Sequence, residues 1–89
     1  MAAHQIPETL DAWLQGWGIG KKKGNPYRLI GEDVYVVYRR RDGWGASIGK
    51  THSRKTWPDA EAAKVGLYQV LLRMNADQIE RAHAGTLRP

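Results

Sequence analysis

Cysteine and phenylalanine are both absent from these 89 residues. Without Cys there is no disulfide framework and no thiolate metal site, so burial of tryptophan and aliphatic side chains must hold the fold together. Without Phe, the aromatic complement is four Trp and four Tyr, rings whose polar tips suit half-exposed surfaces. Long apolar runs are missing too. A spanning helix needs about 20 apolar residues, and Met1–Gln5 lacks the basic-then-apolar order of a secretory signal. The expectation is a soluble, cytoplasmic protein with no membrane partner. Lys and Arg are absent from residues 1–20, which hold Glu8 and Asp11 and a net charge of −2.

The positive charge is concentrated further along. Residues 21–57 carry ten basic side chains against Glu32, Asp33 and Asp42, a net +7, whereas residues 58–89 balance at zero. The total of +5 therefore belongs to one segment, the footprint expected of a polyanion partner. The length fits a single domain, residues 1–89, with a small core spanning about residues 8–75.

Periodicity predicts a short helix over Glu8–Trp17, with Leu10, Trp13, Leu14 and Trp17 at spacings of three and four. Gly18 to Pro26 reads as a Gly/Lys loop. Strands are predicted at Tyr27–Ile30, Val34–Arg41 and Trp44–Lys50, with a short edge strand at Lys55–Trp57. Pro58, Asp59 and Glu61 then open a long helix to about Asn75, whose Ala60, Ala63, Leu67, Val70, Leu71 and Met74 form a sheet-facing stripe. Asp77–Ala84 either extends this helix or turns separately, with Gly85 a stop. Thr86–Pro89 reads as a frayed tail. The fold class is α+β: an N-terminal helix, a three- to four-stranded antiparallel sheet, and a long C-terminal helix packed on it.

The hairpin is the most informative stretch. Asp42-Gly43 between two strand-like runs signals a type I′ turn. Counted outward from it, Arg41 faces Trp44, Arg39 faces Ala46, Val37 faces Ile48 and Tyr35 faces Lys50. Arg39, Arg41 and Trp44 then share one surface, and Arg40 lies on the other with Tyr38. The more apolar face, Tyr35, Val37, Ala46 and Ile48, is expected to meet the helix. Opposite it, Gly45, Ser47 and Gly49 either leave the backbone open to a phosphate chain or make room for a packed helix. Lys21, Lys22 and Lys23 form a basic loop that either clamps phosphates or is merely solvated. Lys50, His52, Arg54 and Lys55 form a second basic loop, placed by this count at the end of the sheet away from the Asp-Gly turn.

A second apolar stripe, Val65, Tyr68 and Leu72, with Ile79 if the helix continues, falls on the far side of the long helix. Either Trp13, Leu14 and Trp17 cover it, or it joins Trp13 and Trp17 in a homodimer interface.

Two phosphate-loop lookalikes fail. Gly49-Lys50-Thr51 lacks the earlier glycine, which would fall at Trp44, and Gly16-x-Gly18-x-Gly20 follows a helix instead of a strand. His4, His52 and His83 are scattered without metal-site spacing, and adjacent Ser53 and His52 do not make a nucleophile and base. Asp59 and Glu61 read as helix-start residues. No cofactor is implied, and a non-enzymatic protein is expected.

The run Tyr35 to Met74, with Arg39-Arg40-Arg41, Gly43-Trp44-Gly45-Ala46-Ser47-Ile48 and Lys55-Thr56-Trp57-Pro58-Asp59-Ala60-Glu61-Ala62-Ala63, resembles the three-stranded sheet and helix of plant ethylene-response-type DNA-binding domains and of integrase arm-binding domains. It departs from them in a shorter connection before the helix and an added N-terminal helix. The resemblance implies a sheet that enters the major groove, with Arg39, Arg41 and Trp44 touching bases and phosphates. The functional expectation is nucleic-acid binding, DNA ahead of RNA. Arg39, Arg40, Arg41, Lys50, Arg54 and Lys55 would contact phosphates, helped by Lys21, Lys22 and Lys23, and Trp44 or Tyr38 would stack on bases. The alternative is a protein-interaction or homodimerisation module using Val65, Tyr68, Leu72, Trp13 and Trp17.

Overall fold

Helix α1 (Leu10–Leu14) is a single turn, started by the Thr9 side chain accepting from the Ala12 N–H at 3.1 Å. The computed structural model describes residues 6–21 and 23–86; Lys22 and residues 87–89 of the tail lie outside the described residues. The helical spacing predicted through Trp17 ends early, because the chain turns at Gln15–Gly16 and Trp17 enters a strand. The Arg28 guanidinium donates to the carbonyls of Trp13 at 3.1 Å and Ala12 at 3.3 Å, and the Trp17 indole donates to Trp13 at 2.9 Å. These bonds satisfy carbonyls that the helix end leaves free. Arg28 is thus a structural cation, although it adds to the charge of the basic segment.

Five antiparallel strands follow in sequence order: β1 (Trp17–Ile19), β2 (Pro26–Ile30), β3 (Asp33–Arg40), β4 (Gly43–Ile48) and β5 (Thr51–His52). β1 occupies part of the predicted Gly/Lys loop. The β3–β4 register pairs Arg40 with Gly43, Arg39 with Trp44, Val37 with Ala46 and Tyr35 with Ile48, so the expected pairing is corrected by two residues. The turn is Arg41–Asp42, since no residue other than glycine takes positive φ among the described residues, and a type I′ turn would need it at Asp42. Gly43 has φ +144° and lies so close to Trp57 that a Cβ there would meet the Trp57 carbonyl oxygen at 2.7 Å. That approach comes from a clip: the Trp44 N–H donates to the Trp57 carbonyl at 2.8 Å and the Trp57 N–H returns a bond at 2.9 Å. In place of a regular edge strand at Lys55–Trp57, residues 53–57 run back irregularly beside β4. The Ser53 N–H donates to Ala46 O, and the Ser53 hydroxyl accepts from the Ala46 N–H and donates to Lys55 O.

Helix α2 (Ala60–Arg73) is capped by Asp59, whose carboxylate accepts from the Ala62 N–H at 2.7 Å. Its Ala63, Leu67 and Leu71 bury against Tyr35, Val37, Ala46 and Ile48. Val70, predicted to face the sheet, is 42% exposed. Gly66 is dictated by packing: a Cβ would sit 2.2 Å from the Trp57 indole nitrogen, so the ring lies on the helix backbone. Met74 and Asn75 break the chain direction, and α3 (Ala76–Ala84) begins as a separate helix with an Asn75/Gln78 capping box. It buries Ile79 and Ala82 and stops, as expected, at Gly85, φ +80°. Among the described residues no helix is long and apolar enough to cross a membrane.

The far stripe of α2 is largely an intramolecular surface, covered by Trp13 as the first of its two readings expects. Trp13 is fully buried, stacks on Tyr68 with centroids 5.6 Å apart, and donates from its indole N–H to Lys64 O at 2.8 Å. The Tyr68 hydroxyl donates to Pro7 O at 2.7 Å. Val65 and Trp17 are half-buried, which leaves Leu72, 60% exposed, as the outward member of the stripe.

Tyr35 lies at the centre of the core, its hydroxyl 3.2 Å from the His83 Nε2. Burial pushes its phenol far above the ordinary tyrosine value, and the charge of Asp33 adds to the rise. An unfolded chain ionises this phenol near pH ~10, so the stability it contributes is complete below that pH and is lost as pH rises beyond it. Denaturant melts above about pH 10 are expected to lose up to about 1.4 kcal/mol per pH unit from this group. Tyr35→Phe is expected to remove that component of the alkaline slope.

Candidate nucleic-acid interface

Alternation along β3 sends Tyr35 and Val37 into the helices and Val34, Val36, Tyr38 and Arg40 to the opposite side. Buried helix residues cluster with one face of the sheet, while on the other Leu29 is 50% and Val34 38% exposed. This second face is open, which resolves the two readings of the small residues on β4. Gly45 is covered by neighbouring side chains and not by a helix: a Cβ there would meet Arg40 Cδ at 2.6 Å and Tyr38 Cζ at 3.2 Å. Arg40 and Tyr38 thus pack against it. The Arg40 guanidinium donates to Ser53 O at 2.9 Å, and the Tyr38 hydroxyl meets His52 Nδ1 at 2.8 Å with the rings perpendicular.

The tertiary structure gathers the cations more closely than the sequence count does. Ser53 bonds Ala46, Trp57 pairs with Trp44, and the Thr56 hydroxyl reaches Asp42 O at 3.5 Å. Arg54 and Lys55 are therefore carried back toward the Arg41–Asp42 turn, not left at the far end of the sheet. The β1–β2 loop arrives at the same end, because Tyr27 pairs with Val36 and Ile19 with Pro26. Lys23 and Asn25 consequently border the same basin as Tyr38 and Arg39. Lys21, Lys23, Arg39, Arg41, Arg54 and Lys55 are all exposed there, with Arg40 half-buried beside them.

Lys50 does not join them. Its N–H bonds His83 O at 3.2 Å at the opposite end of the sheet, by the close of α3. Trp44 is also misplaced as a base-stacking residue: it sits on the covered side, half-buried against the core, and serves as the clip to Trp57. Arg39 shares that strand side but projects where the helices no longer cover it, and it is exposed.

Among the described residues, the Lys and Arg ion pairs are Lys64–Glu61 at 2.9 Å and Arg81–Asp77 at 3.1 Å, both on helices. None involves the cations at this end of the sheet. The nearest acidic residue in sequence, Asp42, occupies the turn, and Asp59 is committed to capping α2. Guanidinium and ammonium groups so placed remain available to an external anion.

Tyr27, Asn25 and Val36 belong to this face although none is singled out as a site residue by the sequence, and His52, read there only as part of the second basic loop, joins them. Two shallow basins of about 440 Å³ each lie there side by side, one bordered by Tyr27 and Val34, the other by Tyr38 and His52. The sequence signal for them is the strand parity that places Tyr38 and Arg40 together; the pairing of β2 with β3 is needed to add Tyr27. No protein-family model, curated protein or solved structure matches the chain.

Proposed function

We propose that this domain is a non-enzymatic nucleic-acid-binding module of the cytoplasm, favouring DNA over RNA. Its contact surface is the basic end of the sheet. The observation that carries the reading is the convergence of Lys21, Lys23, Arg39, Arg40, Arg41, Arg54 and Lys55 on one end of a sheet whose adjoining face is uncovered, with no carboxylate partner for them among the described residues. Phosphate neutralisation by such groups releases counterions and provides most of the affinity, while the polar and aromatic surface beside them sets orientation. The resemblance to sheet-plus-helix DNA-binding modules bears on the cations at the end of the sheet and not on insertion of the whole five-stranded face into a groove. In the carry-over from them, Arg39 and Arg41 retain a position free to touch phosphate and Trp44 does not. The interaction-module alternative keeps less surface: with Trp13 and Tyr68 internal and Val65 and Trp17 half-buried, Leu72 is the exposed member of its set.

Fluorescence anisotropy of a labelled oligonucleotide across a salt series tests the proposal. Affinity is expected to fall steeply with salt, and the Arg39→Ala, Arg41→Ala variant is expected to flatten the log–log slope by about 1.8, or roughly two phosphate contacts. No binding at low salt, or a slope unchanged in the variant, would reject the site.

A further inference from the structure

We infer that the open face takes an unpaired nucleic-acid strand, with successive bases in the two basins and the phosphate between them on Lys23. The inference rests on the nucleic-acid reading above and specifies its ligand. Cross-strand register places Tyr27, Val36, Ser47 and His52 in a single row across β2 to β5. At about 4.8 Å per strand the row spans roughly 14 Å, and Tyr38 stands about 7 Å further along β3 from Val36. Tyr27 walls one basin; Tyr38 and His52, whose ring centroids are 5.5 Å apart, wall the other. Both basins are bordered by Lys23, Asn25 and Val36. Val34 and Val36 floor the first basin beside Tyr27, and Val36 with Ser47 floors the second beside Tyr38 and His52, so each offers a ring and at least one aliphatic side chain to the face of a nucleobase. The single ammonium group at their shared border suits the anion that joins two bases.

Magnitudes favour a single strand over a duplex. A duplex buries its base faces in the stack and offers side chains only base edges and phosphates, so an apolar floor flanked by tyrosines finds nothing to cover. Five strands at about 4.8 Å spacing measure roughly 19 Å between the outermost pair, whereas the major groove is about 12 Å wide. The open face therefore cannot lie flat inside it. Stacking of unpaired bases on aromatic side chains beside a positively charged track meets neither obstacle.

The test uses the full chain and three labelled probes of equal length: oligothymidine, oligouridine and a mixed-sequence DNA duplex. Tighter binding of either unpaired probe than of the duplex, by about ten-fold or more, is expected, and the better of the two identifies DNA or RNA as the source. Tyr27→Leu and Tyr38→Leu, which keep apolar bulk but remove the flat ring, are each expected to weaken the unpaired probe about five- to hundred-fold and leave the duplex unchanged. Tyr38→Phe, which keeps the ring and loses only the bond to His52, is expected to bind as the parent does. Circular dichroism melts establish that each variant is folded. Equal or tighter duplex binding, with the leucine variants indifferent, overturns the inference and leaves the nucleic-acid proposal standing. Failure of all three probes to bind at low salt overturns both.

Discussion

Replacing Arg39, Arg41, Arg54 and Lys55 together with alanine is expected to lower affinity for a short oligonucleotide by about a thousand-fold at physiological salt. Each phosphate contact contributes about 0.9 to the slope of log K against log salt, so four contacts remove roughly 3.6 from it. The four side chains are exposed and form no ion pair among the described residues. Within the protein, the quadruple change removes the approach of the Lys55 ammonium to the Trp57 ring, 5.8 Å from its centroid. Stability is therefore expected to change by less than about 1 kcal/mol. The length of the probe makes the experiment informative about architecture. Arg54 and Lys55 lie beside the Arg41–Asp42 turn because the Trp44–Trp57 clip and the Arg40–Ser53 bond return the chain along β4. An oligonucleotide of about six residues is thus expected to respond to both pairs of cations. If only one pair affects it, and a much longer probe is needed to sense the other, the convergence is wrong. Titrations of the two double variants and the quadruple variant at a common salt concentration decide the matter.

Trp13→Ala is expected to cost about 3–5 kcal/mol. For 89 residues, a typical total stability is roughly 4–13 kcal/mol, so this one change removes a large part of it. Trp13 is fully buried and packs against Tyr68, Tyr35 and Trp17 with ring centroids 5.3 to 5.6 Å apart. Its indole also holds Lys64 O, and its carbonyl accepts from Arg28 and Trp17. The vacated volume sits between α1, the sheet and α2, three elements that cannot collapse together without breaking these bonds. A thermal midpoint lower by more than about 12 °C is expected. Leu72→Ala, on the exposed side of the same helix, is expected to stay within about 0.5 kcal/mol of the parent. A Leu72 effect as large as that of Trp13 would return the far stripe of α2 to the role of a subunit interface.

The faces of the hairpin are legible in the sequence although its register is not. Centring the turn on Asp42-Gly43 misplaces every pair by two residues, but a two-residue error leaves each side chain on its own face because strand parity repeats every two. Tyr35, Val37, Ala46 and Ile48 are therefore identified as the covered set, and Tyr38 and Arg40 as the other. The true turn depends on Trp57, which draws Gly43 against its carbonyl from fourteen residues away. Local turn chemistry carries no information about such a partner. Trp17 departs from expectation for a related reason. Its spacing from Trp13 fits one helical turn, and the indole does return to the Trp13 carbonyl, but from the first residue of a strand, where the same proximity is reached by another route.

Composition and pattern alone determined that this chain is one small α+β unit without disulfides, that its positive charge belongs to the sheet segment, and that a capped amphipathic helix closes the core. These are properties of local sequence: strand parity, helical period, cap residues and the sum of charges. Only the tertiary structure decided that Arg54 and Lys55 meet Arg39 to Arg41 at one end, that Lys50 does not, that Trp44 is a clip, and that Tyr27 joins Tyr38 and His52 on an uncovered face. The reason is physical: each of those placements is set by backbone hydrogen bonds between segments distant in sequence, and no local propensity specifies which distant segment will supply the partner.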